Sequence, residues 1–194
     1  MKLYYSPGAC SLGDHIALHE AGLSFDRVRV DLKAKTTETG QAFAEINPKG
    51  YVPVLELDDG QILTENIAIL SWVARQKPSL APSGELGDLR LLEMLAFIST
   101  EVHKQFARVF GTSGDAETAA ARKKVTQRLQ LLGTMLKGDY LFGADVSVAD
   151  AYLFTMLLWA NKLGVDVPAS LNAFAERMRA RPAVRLALEH EGLD

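Results

Sequence analysis

Apolar and polar residues alternate along the first third of the chain and then settle into a helical period. Lys2 to Ser6 reads as a short strand stopped by Ser6-Pro7-Gly8. Leu12, His15, Ile16, Leu18 and His19 then share a helix face that ends at Gly22. From Phe25 to Leu32, Val28, Val30 and Leu32 alternate with Arg27, Arg29 and Asp31, the period of a strand with one buried face. A short helix is expected near Thr39 to Ile46. Val52 to Leu57 and Gln61 to Leu63 flank Asp58-Asp59-Gly60, a hairpin signal, and Thr64-Glu65-Asn66 opens a helix through Ile67, Leu70, Val73 and Ala74.

The order β-α-β-α-β-β-α fits a four-stranded mixed sheet of the thioredoxin kind, and it fits other small α/β sheets as well. Pro78, Ser79, Pro82, Ser83, Gly84 and Gly87 mark a linker. The expected organisation is therefore an α/β domain over residues 1–77, a linker over 78–87 and an all-α domain over 88–194. In the last, Leu89, Leu92, Ala96, Ser99, His103, Phe106 and Phe110 share one helix face, and Val125, Leu129, Leu132 and Leu136 share another. Ser147-Val148-Ala149-Asp150 matches a capping box, a fold-supporting device.

Composition narrows the function classes. With 194 residues and 48% hydrophobic content the chain can fill a sizeable core. Its 21 basic and 24 acidic residues nearly cancel and form no block, so neither nucleic acid nor an anionic membrane is an expected partner. A small molecule is. No stretch has the length of a membrane span, and the opening residues are too short and polar a run for a signal peptide. One cysteine permits no internal disulfide, and the four histidines offer no close-spaced metal motif, so no metal is expected and a reducing cytoplasm is.

Candidate chemistry gathers where strands meet helices. Cys10 lies at the start of the first helix, whose unpaired N–H groups and dipole favour a thiolate. The alternative is a small buried hydrophobe. Gly13 stands where a dithiol centre carries its second cysteine. Val52-Pro53 at a strand start offers a bent edge to which an extended ligand can add as a strand, or is simply a strand ending. Glu65 and Asn66 begin the third helix, where an anion site and an Asn66 N-cap are compatible. Taken singly, Lys35 reads as a solvated loop lysine and His103 as a packing histidine.

Taken together these residues resemble the glutathione transferases, specifically the bacterial beta class, nearly end to end. The resemblance rests on the opening Met-Lys-Leu-Tyr-Tyr-Ser-Pro-Gly-Ala-Cys-Ser-Leu, on Asn47-Pro48-Lys49-Gly50 before Val52-Pro53, and on Leu63-Thr64-Glu65. Glu101-Val102-His103-Lys104 and Val148-Ala149-Asp150-Ala151-Tyr152-Leu153-Phe154 extend it. It implies a thioredoxin-like domain that holds glutathione as co-substrate, an all-helical domain, and a homodimer. By similarity Cys10 faces the glutathione sulfur, with Ser11 able to share its donor role. The Val52 backbone before Pro53 pairs with the cysteinyl unit, the start at Glu65-Asn66 takes the γ-glutamyl end, and Lys35 pairs with the glycyl carboxylate. His103, with Thr100 and Glu101, approaches from the helical domain. Tyr5, Pro7, Gly8, Phe106, Phe110 and Trp159 are the expected pocket for an apolar electrophile. Asn66, Ala96 and Tyr51 depart from the family's more usual serine, asparagine and glutamine. Conjugation, thiol transfer and peroxide reduction through Cys10 stay open, as does a non-catalytic glutathione or apolar-ligand carrier on the same fold.

Overall fold

The computed structural model describes residues 1–111 and 114–193, so the expected all-α region loses 112, 113 and its last residue to positions outside those described. Strand β1 (Lys2–Tyr5) leads through a tight turn into helix α1 (Ser11–Glu20), and β2 (Asp26–Asp31) returns parallel to β1, pairing Tyr4 with Val28. A two-residue strand β3 (Thr36–Thr37) and a single helical turn α2 (Phe43–Ile46) follow. The hairpin of β4 (Val54–Glu56) and β5 (Ile62–Thr64) closes through Gly60, whose φ of 81° suits glycine. Helix α3 (Asn66–Gln76) completes this part.

The sheet has five strands in the order β3-β2-β1-β4-β5, with β1–β2 parallel and the other pairs antiparallel. The four-stranded expectation misses β3. Its two threonines are too short a run to alternate, and its place in the sheet comes from pairing Val30 with Thr37.

Beyond a 3₁₀ turn at Pro78–Leu80, every described element is helical: α4 (Gly87–Phe97), α5 (Lys104–Phe110), α6 (Asp115–Met135), α7 (Val148–Lys162), α8 (Ala169–Ala180) and α9 (Pro182–Glu191). A π-helical stretch, Ile98–His103, joins α4 to α5. None of these helices is long and apolar enough to cross a membrane. The capping box is present: Asp150 accepts the Ser147 N–H at 2.8 Å and also the Leu141 N–H at 2.9 Å.

One continuous core joins the sheet to the helices. α1 and α3 pack on α7, whose residues from Val148 to Leu157 are buried, and α1 also packs on α9. The face expected to be buried on α4 is displaced. Leu91, Met94, Leu95, Ile98 and Val102 enter the core, whereas Leu89 is 60% and Leu92 46% exposed. Either row of leucines satisfies a 3.6-residue period, and only the neighbouring helices decide between them. On α6, Val125, Leu129 and Leu132 are buried as expected.

Candidate active site

Cys10 occupies the N-cap position of α1, and its Sγ lies 3.5 Å from the Val52 carbonyl, just before the cis Val52-Pro53 bond that leads into β4. The expected thiolate is not what this environment favours. Burial, reinforced by Asp14 one turn along, pushes the thiol up to about 12, against the downward pull of the Cys10 and Ser11 N–H groups. A helix terminus contributes roughly 0.3–1 kcal/mol, less than one pKa unit. Desolvation can move a buried group by up to about 3–5 units, so it wins. At neutral pH Cys10 is a thiol, a hydrogen-bond donor. Ser11 does not share that position: it is buried, accepts the Ser6 N–H at 3.3 Å and reaches the Ser6 carbonyl at 3.5 Å, bracing the turn before the helix.

A cavity of about 610 Å³ opens over Cys10. Cys10, Val52 and Pro53 form one wall, α3 from Asn66 to Ser71 a second, and Leu92, Ser99, His103 and Tyr152 a third. Tyr51 and Glu65 stand at its rim. Glu65 holds a φ of 74°, and its carboxylate accepts the Lys49 ammonium at 2.6 Å and the Tyr51 hydroxyl at 2.7 Å. Those two bonds hold it below the usual carboxylate range.

Asn66 is not the N-cap; Glu65 takes that position and Asn66 is the first residue of α3. The asparagine amide points inward, donating to the Cys10 carbonyl at 2.9 Å and to Asp14 Oδ2 at 2.6 Å. It thus locks the start of α3 to the start of α1 behind the cavity. Lys35, with a φ of 61°, lies outside the cavity lining and donates to the Gly50 carbonyl at 2.8 Å, beside the segment that carries Tyr51 to Pro53.

From the helical part, His103 enters the cavity at the end of the π-helical stretch. Ser99 and His103, four residues apart within this stretch, both line the cavity, and π-helical turns often occur at functional sites. His103 Nδ1 lies 2.6 Å from the Tyr152 hydroxyl, and its ring stands edge-on to Trp159 at 5.1 Å. Burial lowers His103 to about 4, so it is neutral at pH 7, and the same burial raises the Tyr152 hydroxyl, which keeps its proton. Thr100 and Glu101 turn away. Thr100 donates to the Ala96 carbonyl at 3.0 Å, and Glu101 is drawn to Arg128 of α6 at 2.5 Å, where its charge is compensated.

The expected electrophile pocket divides. Phe106, Phe110 and Trp159 do meet, with Trp159 edge-on to Phe106 at 5.5 Å and to Phe110 at 5.1 Å, and Trp159 Nε1 donates to the Gly8 carbonyl at 2.7 Å. None of them lines the cavity over Cys10. Phe106 is fully buried in the core, Phe110 is half exposed, and Pro7 sits half-buried in the turn. Tyr5 faces the other way, its ring 5.7 Å from His15, because neighbours on a strand point to opposite faces and Tyr4 takes the face toward Phe43.

Several residues of this site escaped the sequence reading as site residues, Asp14, Tyr152 and Ser99 among them. Asp14 is fully buried and pushed well above its ordinary range by burial. Its only signal was a carboxylate on an otherwise apolar helix face. Tyr152 and Ser99 lay inside apolar runs and gave none.

Comparison with known proteins agrees with this geometry. Residues 9–76 match the model of the glutathione S-transferase N-terminal domain, and residues 91–182 that of the C-terminal domain. The chain is 42% identical to glutathione S-transferase GstA of Escherichia coli O157:H7, over 100% of both chains. A sphingomonad glutathione S-transferase solved in complex with glutathione superposes with a TM-score of 0.93 at 47% identity, covering 100% of each chain. The bacterial beta class glutathione S-transferase of Sphingomonas chungbukensis gives 0.93 at 46%, again over 100% of each. A thioredoxin-like sheet, a helical second part and this end-to-end similarity make the chain a member of the glutathione S-transferase family of enzymes, in its bacterial beta class.

Proposed function

We propose that the chain joins the thiol of glutathione to small, largely apolar electrophiles, with Cys10 acting as a hydrogen-bond donor to the glutathione sulfur. The carrying observation is that the Cys10 thiol, the Val52 backbone and the first turn of α3 face one cavity of about 610 Å³, a volume suited to a small ligand. The tripeptide lies along the bent edge as an added strand, with its cysteinyl unit on Val52 beside Pro53. Its γ-glutamyl carboxylate meets the unpaired N–H groups of α3. Lys35, already at the Gly50 carbonyl, swings to the glycyl carboxylate.

Cys10 directs its S–H at the Val52 carbonyl and transfers that bond to the glutathione thiolate. A hydrogen bond to a charged acceptor contributes about 1.5–3 kcal/mol, which shifts the thiol's ionisation toward thiolate by a factor of roughly 10 to 100. His103 acts as a neutral donor: with its Nδ1 accepting from Tyr152, the proton sits on Nε2. Beyond His103 the Trp159–Phe110 surface receives the electrophile, and holding it beside the sulfur supplies most of the acceleration.

The enzyme works as a homodimer in the cytoplasm. Leu86, Leu89 and Leu92, exposed side chains at the start of α4, support the contact, and a monomeric mass in sedimentation would remove it. Retention on glutathione resin with conjugation of an aromatic halide is the expected behaviour. Binding without turnover of any electrophile would replace the enzyme reading with that of a carrier. A Cys10–glutathione mixed disulfide, found by mass after exposure to oxidised glutathione, would replace the donor role with thiol transfer.

A further inference from the structure

Away from the cavity, three of the chain's four histidines converge. His15 and His19 stand one turn apart on α1, and His190 comes from the end of α9. One ring nitrogen from each lies within 4.8 Å of the other two. The rings touch, with His15 and His190 stacked at 5.6 Å, His15 and His19 centred 5.0 Å apart, and His19 and His190 5.4 Å apart.

The hydrogen bonds around this group are incomplete in a particular way. His15 is fully buried, and its Nδ1 is paired with Glu191 Oε1 at 2.8 Å. Glu191 is fixed in turn, because its Oε2 accepts the Gly8 N–H at 2.9 Å. That pairing orients the His15 ring and leaves its Nε2 directed elsewhere. His15 Nε2, His19 Nε2 and His190 Nδ1 are all buried and have no partner among the described residues. Folded proteins leave few such atoms, and each calls for a reason. Pure packing is a poor one, since phenylalanine would stack as well without stranding a nitrogen.

From this geometry we propose that His15, His19 and His190 form a binding site for a divalent transition-metal ion of the zinc type, with Glu191 as the carboxylate that orients His15. Three imidazoles with an open fourth position are a familiar ligand set for zinc, and a carboxylate on the far nitrogen of a ligating histidine is its usual support. Zinc–nitrogen bonds of about 2.0–2.1 Å hold tetrahedral ligand atoms roughly 3.3 Å apart, so the nitrogens close by at most about 1.5 Å. Small side-chain rotations cover that. His190 also lines a surface cavity of about 420 Å³ with Tyr5, Phe25 and Arg27, which gives the ion a path from solvent. Arg27 acts electrostatically on all three rings and opposes a cation; the Glu191 carboxylate offsets it. The bound ion would clasp α9 to the helix that carries Cys10 at its other end.

The full chain, stripped with a chelator, is titrated with Zn²⁺ by calorimetry and with Co²⁺ by visible absorption. Expected are one saturable ion per chain, the intense bands of four-coordinate cobalt with nitrogen ligands, and a melting temperature raised by about 5 °C or more at a hundredfold excess over Kd. His19→Gln and His190→Gln should abolish binding, and Glu191→Gln should weaken it by about 10- to 100-fold. His103→Gln, which alters the remaining histidine, should keep it. Circular dichroism checks that each variant is folded, and the cobalt spectrum of the unaltered chain stands without any variant. No saturable binding, octahedral cobalt spectra, or binding that persists in both His19→Gln and His190→Gln would overturn the site.

Discussion

At the amino end of α1, polar groups from two elements answer one another: the Asn66 amide spans the Cys10 carbonyl and Asp14. The oxygen left over, Asp14 Oδ1, belongs to a carboxyl that burial drives toward its neutral form. Further along the same helix, His15 and His19 meet His190 of α9 with buried nitrogens that have no partner among the described residues, and among those residues it is Glu191 that hydrogen-bonds to the group. Both ends are buried against helical partners, but among the described residues one leaves a single carboxyl oxygen without a partner and the other leaves three ring nitrogens that face one another. The first arrangement sets the protonation of a reacting group. The second has the form of a place for something from outside.

The sharpest way to break this contrast is at Cys10 itself. With the thiol at about 12, roughly one part in ten thousand is thiolate at pH 8, against about a quarter for a free thiol near 8.5. Iodoacetamide should therefore alkylate Cys10 roughly a thousandfold more slowly than free cysteine, and the rate should rise about tenfold per pH unit from 7 to 10. A rate that plateaus near pH 7 would show a thiolate after all. Next in size, Asn66→Ala strips the buried Asp14 of its donor and should lower stability by about 3 kcal/mol in urea unfolding. A loss under 1 kcal/mol would mean that the amino end is not closed by this residue.

Cys10→Ala should reduce kcat/KM for conjugation by roughly 10- to 100-fold, with most of the loss in kcat, because the donor acts on the charged sulfur. Cys10→Ser should recover part of it. An unchanged rate in both would move the donor role elsewhere. At the other end of the helix, Glu191→Gln keeps a group able to bond His15 and Gly8, and should cost about 1 kcal/mol or less in the absence of metal. A much larger loss would make the charge of Glu191 essential to packing and draw the two ends closer together in kind.

Much of this was legible from the chain because it is local. Asp58-Asp59-Gly60 dictates its hairpin, Ser147 and Asp150 their cap, and the strand–turn–helix from Tyr5 to Ser11 brings Cys10 to a helix start whatever surrounds it. What was not legible depends on neighbours far off in sequence. The Cys10 thiol is set by desolvation, which outweighs the local dipole. Asn66 turns inward because the positive φ falls on Glu65 and hands it the cap. Glu101 is claimed by α6, and the exposed Leu89 and Leu92 show that a helical period fixes a face only when the packing partner is known. The histidine group lies between these cases. His15 and His19 are four apart on one helix, a pair that the sequence reading passed over in finding no close-spaced metal motif, whereas His190 joins them only through the docking of α9 on α1.

The most direct test follows the sulfur of glutathione bound to the protein. Its thiolate absorbance in the ultraviolet, titrated against pH with saturating tripeptide, should give an ionisation well below that of the free thiol in the unaltered chain, shifted upward by one to two pH units in Cys10→Ala. Identical curves in the two proteins, or no saturable uptake of the tripeptide by folded material, would contradict the account.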